Sequence, residues 1–339
     1  MPDSTPLPTR PVLRFARFAR FALRVLLSAL AIFWLARKVD LGAASRSVTL
    51  LGVAALPALA APFVSTAVAA VRWRVLLRAY GAKTTPAYLT LVRYLLVGAC
   101  FNALPGAIAG DALRAYRTRR VLPGVADSTA VVLAERVSGL AGLLLLGSVS
   151  LLGPVVASAA PIAHALGLGA ALATALVVAV FVSPTVYGRL FRQPTRAGVW
   201  AGIDAILRRI PAPKSPAGVG AAVLLSLLTQ GTMLFQTFWL VQYLAPEAAM
   251  STVLLVLPAL IVLTYVPVTP GALGQRELVY VKVLGIARVS PEHAVAAAFV
   301  VFANSMLLVV VGGLIHLAEA APSTAPEANV TGAREPANR

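Results

Sequence analysis

The 339 residues predict an all-α, polytopic helical membrane protein of about six full spans and two re-entrant broken helices, arranged as an inverted repeat. Three observations carry that expectation. First, 59% of the chain is hydrophobic and only 12% is charged. A soluble domain carries about 25% charged residues, so this chain cannot cover a water-facing surface. Second, the apolar residues come in runs of about 20, the length that crosses a bilayer core. Third, two of those runs break at a Pro-Gly pair, Pro105-Gly106 and Pro270-Gly271, at corresponding places in the two halves.

The formal net charge is +17. Its basic residues cluster between apolar runs, as the positive-inside rule and anionic lipid headgroups require, so no nucleic-acid partner is expected. Only four of the 29 basic residues are lysine (Lys38, Lys83, Lys214, Lys282). In an Ala/Gly-rich chain this reads as bacterial coding bias. Cys100 stands alone and excludes an internal disulfide. His164, His293 and His316 are far apart and lack ligand-spaced partners, so no metal and no cofactor are expected. No phosphate-binding Walker run and no nucleophile elbow is present.

The elements follow in order. Residues 1–19 form a basic arm. Arg10, Arg14, Arg17, Arg20 and Arg24 lead into the first span, 20–36, which reads as a retained signal anchor. The second span is 48–71, softened by Pro57 and Pro62. The stretch 87–104 carries Arg93 and runs into Pro105-Gly106. Then come 127–152, 162–183, 217–243, a second interrupted stretch 251–269, and 294–318. The halves are about 20–153 and 162–318. Residues 319–339 are rich in Pro, Ala and charge and read as a disordered tail.

Loop charge sets the orientation. The N-terminal arm, 72–83, 114–120 and 189–214 are basic and should face the cytoplasm, whereas 153–161 and 244–250 lack Lys and Arg and should lie outside. The N-terminus and the C-terminus are then both cytoplasmic, in a bacterial inner membrane. Two basic loops flank 87–104, so a full crossing there would put one of them outside. A hairpin that enters from the cytoplasm and turns at Pro105-Gly106 removes the conflict. Non-helical backbone at that depth needs a polar hollow around it. The basic residues Arg37, Lys38, Arg46, Arg276, Lys282 and Arg288 fall on the outer side and count against the scheme. Between 188 and 216, Arg196, Arg208 and Arg209 alternate with Trp200, Ile203 and Ile206, an amphipathic surface helix linking the halves.

Charges inside spans mark candidate sites. In Asn102-Ala-Leu-Pro105-Gly106-Ala-Ile-Ala-Gly110-Asp111-Ala-Leu-Arg114, a helix restarting after Gly106 aims free N–H groups at an anion. Asp111 and Arg114 are three apart and can pair or hold a zwitterionic headgroup. Glu135 and Arg136 point about 100° apart on one helix, so each needs its own partner. Glu135 is expected to meet Arg93 or Arg114, and Arg136 to meet Asp111. Around Pro270-Gly271, Gly274, Gln275, Arg276 and Glu277 repeat the device. Gln230, Gln236 and Asn304 read as interhelical glue.

These residues carry a resemblance. The ordered set Asn102, Pro105-Gly106, Gly110-Asp111, Arg114, then Glu135-Arg136, then Pro270-Gly271, Gly274-Gln275-Arg276-Glu277 resembles the lysylphosphatidylglycerol synthase transmembrane region, a flippase-like domain family, over roughly residues 20–318. Ala272 replaces the second glycine of the usual Pro-Gly-Gly-x-Gly, and Asp111 stands where Glu is common. Two-part members add a cytosolic aminoacyl-transferase domain; this chain reads as a stand-alone member without it. Stand-alone relatives sit beside glycosyltransferase or isoprenoid-lipid pathways.

The resemblance implies a lipid translocase. Its headgroup, an anionic phospholipid, an aminoacylated lipid or a polyprenyl-linked phosphate, would sit between the two turns. The expected contacts are Arg93, Asp111, Arg114, Arg136, Arg276 and Glu277. Two rivals are a non-catalytic membrane partner of a cytoplasmic glycosyltransferase or lipid synthase, and a lipid transferase using Asp111 or Glu135 as general base.

Overall fold

The computed structural model describes residues 40–103, 109–152, 171–172, 175, 211–265 and 274–320. Among them there are nine α-helices and no strand: α1 Leu41–Leu51, α2 Leu56–Ala79, α3 Tyr88–Asn102, α4 Ala109–Thr118, α5 Val125–Leu152, α6 Pro216–Leu244, α7 Met250–Tyr265, α8 Gln275–Ile286 and α9 Pro291–Ala320. Four segments are long and apolar enough to cross a membrane: Ser45–Ala79, Ala126–Ser148, Pro216–Leu244 and Pro291–Glu319. The chain is a multi-pass helical membrane protein. The expected span 20–36 and most of 162–183 lie outside the described residues, as does the amphipathic segment 196–210.

Asp40 starts α1 by accepting the Ala43 N–H at 3.0 Å, and that bond holds its carboxyl below the usual carboxylate range. The helix stops at Gly52, whose φ of 47° and ψ of −129° suit glycine alone. A 3₁₀ turn, Gly52–Ala55, then leads into α2. Trp239 Nε1 of α6 donates to the Ala54 carbonyl at 2.7 Å and satisfies a group that the break frees. The expected softening at Pro57 and Pro62 is corrected by this. Pro57 falls in the first turn of α2, where its missing N–H costs nothing, and α2 continues past Pro62. Nothing lies within 4 Å of a Cβ placed on Gly52, so Gly52→Ala isolates the backbone strain. It should lower stability by about 1–3 kcal/mol, read as a lower thermal midpoint of the purified protein.

A second correction concerns 72–83. The sequence reading makes it a loop, but α2 runs to Ala79, with Arg72, Trp73, Leu76 and Leu77 buried. The apolar pattern in fact continues through Val75, Leu76, Leu77, Ala79 and Tyr80. The connection is only 80–87.

The two halves repeat one order: long helix, short apolar helix, short helix, long helix. Exchanging α2–α5 with α6–α9 preserves the packing partners. α2 packs on α6; α3 packs on α9 as α7 packs on α5; α3–α4, α4–α5, α2–α3 and α2–α5 match α7–α8, α8–α9, α6–α7 and α6–α9. One apolar core surrounds Trp73, Leu76, Leu91 and Val131, and a larger one surrounds Leu240, Leu257, Leu284 and Ala297. Asn304 on α9 donates to the Ala58 carbonyl at 2.9 Å, and Gln230 on α6 to Gly139 at 3.0 Å, so both act as interhelical glue.

Fifteen residues of α3 are too few to cross a bilayer. The chain instead folds α4 back along it. Asn102 meets Gly110 and Asp111, Gly98 meets Arg114, and Tyr94 meets Arg117, a falling-against-rising series that makes the pair antiparallel. The turn residues Pro105 and Gly106 lie outside the described residues, as do Pro270 and Gly271. α9 extends to Ala320, so residues 319 and 320, expected in the tail, are helical, and the rest of the expected tail lies outside the described residues.

Candidate functional site

A cavity of ≈ 690 Å³ lies between α2, α3, α4, α5, α6 and α7. It is built around Glu135 of α5, which is only 6% exposed. Arg72 of α2 donates to Glu135 Oε1 at 3.0 Å, and Arg114 of α4 donates to Oε2. Each carboxylate oxygen thus holds one guanidinium. Such a buried pair survives only when its remaining bonds are met. Arg72 also donates to Ser226 Oγ at 2.9 Å and Thr229 Oγ1 at 3.2 Å, both on α6. The Arg114 guanidinium lies 4.4 Å from the centre of the Trp73 ring, a favourable cation–π placement.

A second layer extends this one. Asp111 lies 3.6 Å from Arg114. Its Oδ2 accepts from Arg136 Nε and Nη2 at 2.9 and 2.7 Å, and its Oδ1 accepts from Asn102 at 3.2 Å. Asn102 in turn accepts the Gly110 N–H at 2.9 Å. A side chain on Gly110 would run into the Gly98 carbonyl, so glycine is what lets the hairpin close. The result is one chain of charge: Arg72, Glu135, Arg114, Asp111, Arg136.

The structure therefore brings together Asn102, Gly110, Asp111, Arg114, Glu135 and Arg136 from the sequence reading. Three of the four expected pairings are present. Glu135 with Arg93 is not. Arg93 is half-exposed and pairs with Glu319 of α9 at 3.2 Å, because α9 lies against that face of α3. The second motif is also placed differently from expectation. Gly274, Gln275, Arg276 and Glu277 do not line the cavity. Gly274 has φ 74°; Gln275 donates to the Leu263 carbonyl at 3.1 Å; Arg276 lies 5.2 Å from the Phe302 ring; one Glu277 oxygen is buried without a partner. Of the second half, α7 reaches the cavity through Val262 and α6 through Thr229, Gln230 and Met233.

Arg72 is the residue that sequence reasoning missed. It stood at the boundary of an apolar run and was read as loop charge. The run's continuation to Tyr80 was the available signal.

Chemically, the cavity wall sets Arg72, Arg114 and Arg136 against Glu135 alone. The Nε atoms of Arg72 and Arg114 are buried without partners. Both carboxylates are already held by guanidiniums, so neither is a free base. The rest of the lining includes apolar side chains, Ala69, Leu95, Leu140, Leu143, Met233 and Val262. No group of three or more potential metal-ligating side chains occurs among the described residues.

Short apolar helices packed among membrane-crossing ones, around a hollow lined by three arginines, a glutamate and apolar side chains, define a polytopic helical membrane protein. The chain belongs to the family described as the lysylphosphatidylglycerol synthase TM region, which it matches over residues 21–313. No curated protein and no solved structure matches it.

Proposed function

We propose that this chain binds the phosphate-bearing headgroup of a membrane lipid in the cavity and carries that lipid between leaflets. The observation that supports the reading best is the cavity lining itself: three guanidiniums, two of them buried and held by Glu135, with Asp111 behind, in a hollow that also has apolar side chains. A phosphate diester takes charge-assisted hydrogen bonds from such groups, while the acyl or isoprenoid tails follow the apolar side chains. Asn102, Gly110, Asp111, Arg114, Glu135 and Arg136, with Arg72 added, form the proposed site. Gly274, Gln275, Arg276 and Glu277 of the second motif do not line the cavity and are not part of this site. Inverted halves in a bacterial inner membrane would let the cavity open to either side in turn.

Arg136 is the natural probe, because its side chain is 56% exposed and its loss leaves no buried orphan. In proteoliposomes carrying a fluorescent phosphatidylglycerol, Arg136→Gln should transport about tenfold more slowly than wild type while unfolding at the same temperature. Equal transport rates would remove Arg136 from the site. Transport no faster than in protein-free vesicles by the wild type would end the translocase reading.

A further inference from the structure

A second, smaller cavity of ≈ 260 Å³ lies at the C-terminal end of α4, lined by Tyr94, Tyr116, Arg117, Arg119 and Arg120. We infer that it is a docking site for the phosphate of an anionic membrane lipid, separate from the inner cavity.

Its lining holds three arginines, two tyrosines and no acid. Two of the arginines are fixed rather than free. Arg117 lies 4.7 Å from the centre of the Tyr94 ring and donates to Glu319 at 2.8 Å. Arg119 lies 3.4 Å from the centre of the Tyr116 ring and donates to the Tyr116 carbonyl at 3.0 Å. Stacking against a ring leaves a guanidinium's edge N–H groups available, in the planar fork that matches phosphate oxygens. One of those groups, Arg117 Nη1, is buried with no hydrogen-bond partner. A ligand oxygen would supply what the protein does not. Arg120 adds an exposed cation at the rim.

The surroundings favour a lipid as the source of that phosphate. Tyr116 is 62% exposed beside basic residues, the arrangement of side chains that sit at headgroup level. The two cavities also share an element. Arg114 lines the inner one, and Arg117, one turn further along α4, lines the outer. Their ring partners, Trp73 and Tyr94, meet edge to face at 6.4 Å. On the reading of the inner cavity given above, the outer pocket is where a headgroup lands before it moves one turn inward. The docking site itself does not depend on that reading.

Short-chain dihexanoyl phosphatidylglycerol, titrated calorimetrically into the full-length protein in an uncharged detergent, tests the assignment. The wild type should bind two equivalents. Arg119→Gln with Arg120→Gln, both outside the packed interior, should remove one equivalent or weaken it at least tenfold, while Arg136→Gln should weaken only the other. The doubly lysine-substituted Arg119→Lys with Arg120→Lys should show the same loss, since a point charge lacks the stacked fork. Binding that survives the lysine exchange would reduce the pocket to diffuse attraction and overturn the proposal, as would unchanged stoichiometry in the glutamine variant. Inorganic phosphate should compete poorly; competition equal to that of the lipid would overturn the lipid assignment. If only the Arg136→Gln arm fails, the inner site falls and the outer one stands.

Discussion

Glu135→Ala is expected to cost the folded protein about 3–5 kcal/mol, enough to stop most of it accumulating in the membrane. The reason lies in what the substitution leaves behind. Arg72 and Arg114 are 7% and 6% exposed, and Glu135 is the carboxylate they share. Without it, Arg72 keeps only two hydroxyls, and Arg114 keeps Asp111 at 3.6 Å and the Trp73 ring. Two cations would then stand among apolar helices with one acid between them. Removing one cation together with the acid should do less harm, because Arg72 is then no longer a buried charge without a partner and only Arg114 has lost its carboxylate. Glu135→Gln combined with Arg72→Met should therefore unfold at a higher temperature than Glu135→Gln alone. Thermal unfolding of detergent-purified variants gives the comparison. A Glu135→Ala protein as stable as wild type would show that this pair contributes nothing to holding α2, α4 and α5 together.

Gly312→Leu is the second large expectation. Gly312 of α9 faces the backbone of α3 so closely that even a Cβ would collide with the Leu96 carbonyl and approach Val97 N within 3.2 Å. Close approach of this kind is what small residues provide where membrane helices cross. Backbone cannot rotate aside as a side chain does. Overpacking usually costs about 1–3 kcal/mol, and leucine against a carbonyl should lie at or above the upper end. The damage should also reach Glu319, two turns along α9, which binds Arg93 and Arg117. Gly285→Ala is the control, since nothing lies within 4 Å of a Cβ there. Its midpoint should match wild type or exceed it slightly, alanine being the better helix former. Equal midpoints for Gly312→Leu and Gly285→Ala would mean that α3 and α9 do not approach as described.

Much of this architecture was legible from composition and run length. The spans beginning near 127, 217 and 294 follow from the length of their apolar runs, and α5, α6 and α9 occupy them within a few residues. The pairing of Arg136 with Asp111 followed from the helical angle that separates Arg136 from Glu135 and leaves each needing its own partner. Two things did not follow. Arg72 was read as loop because a charge beside an apolar run normally marks a membrane surface. Only tertiary structure, with Glu135 waiting across the interface, shows it inside. Arg93, on a largely apolar helix, reads equally as an anion ligand or as a side chain reaching for the surface, and the structure places it half-exposed against Glu319. Which face of such a helix meets which neighbour is set by packing, and periodicity carries no trace of it.

The exchange of helix partners between halves is a property of the backbone, yet the ionic chemistry does not obey it. Arg72, Arg114, Asp111, Glu135 and Arg136 all belong to the first half, and the second half answers Arg72 with two hydroxyls. Sliding one half past the other would therefore break no ion pair of this network. Across the seam, Glu319 of α9 pairs with Arg93 and Arg117 of the first half, so a slip would strain those two pairs and spare the buried network.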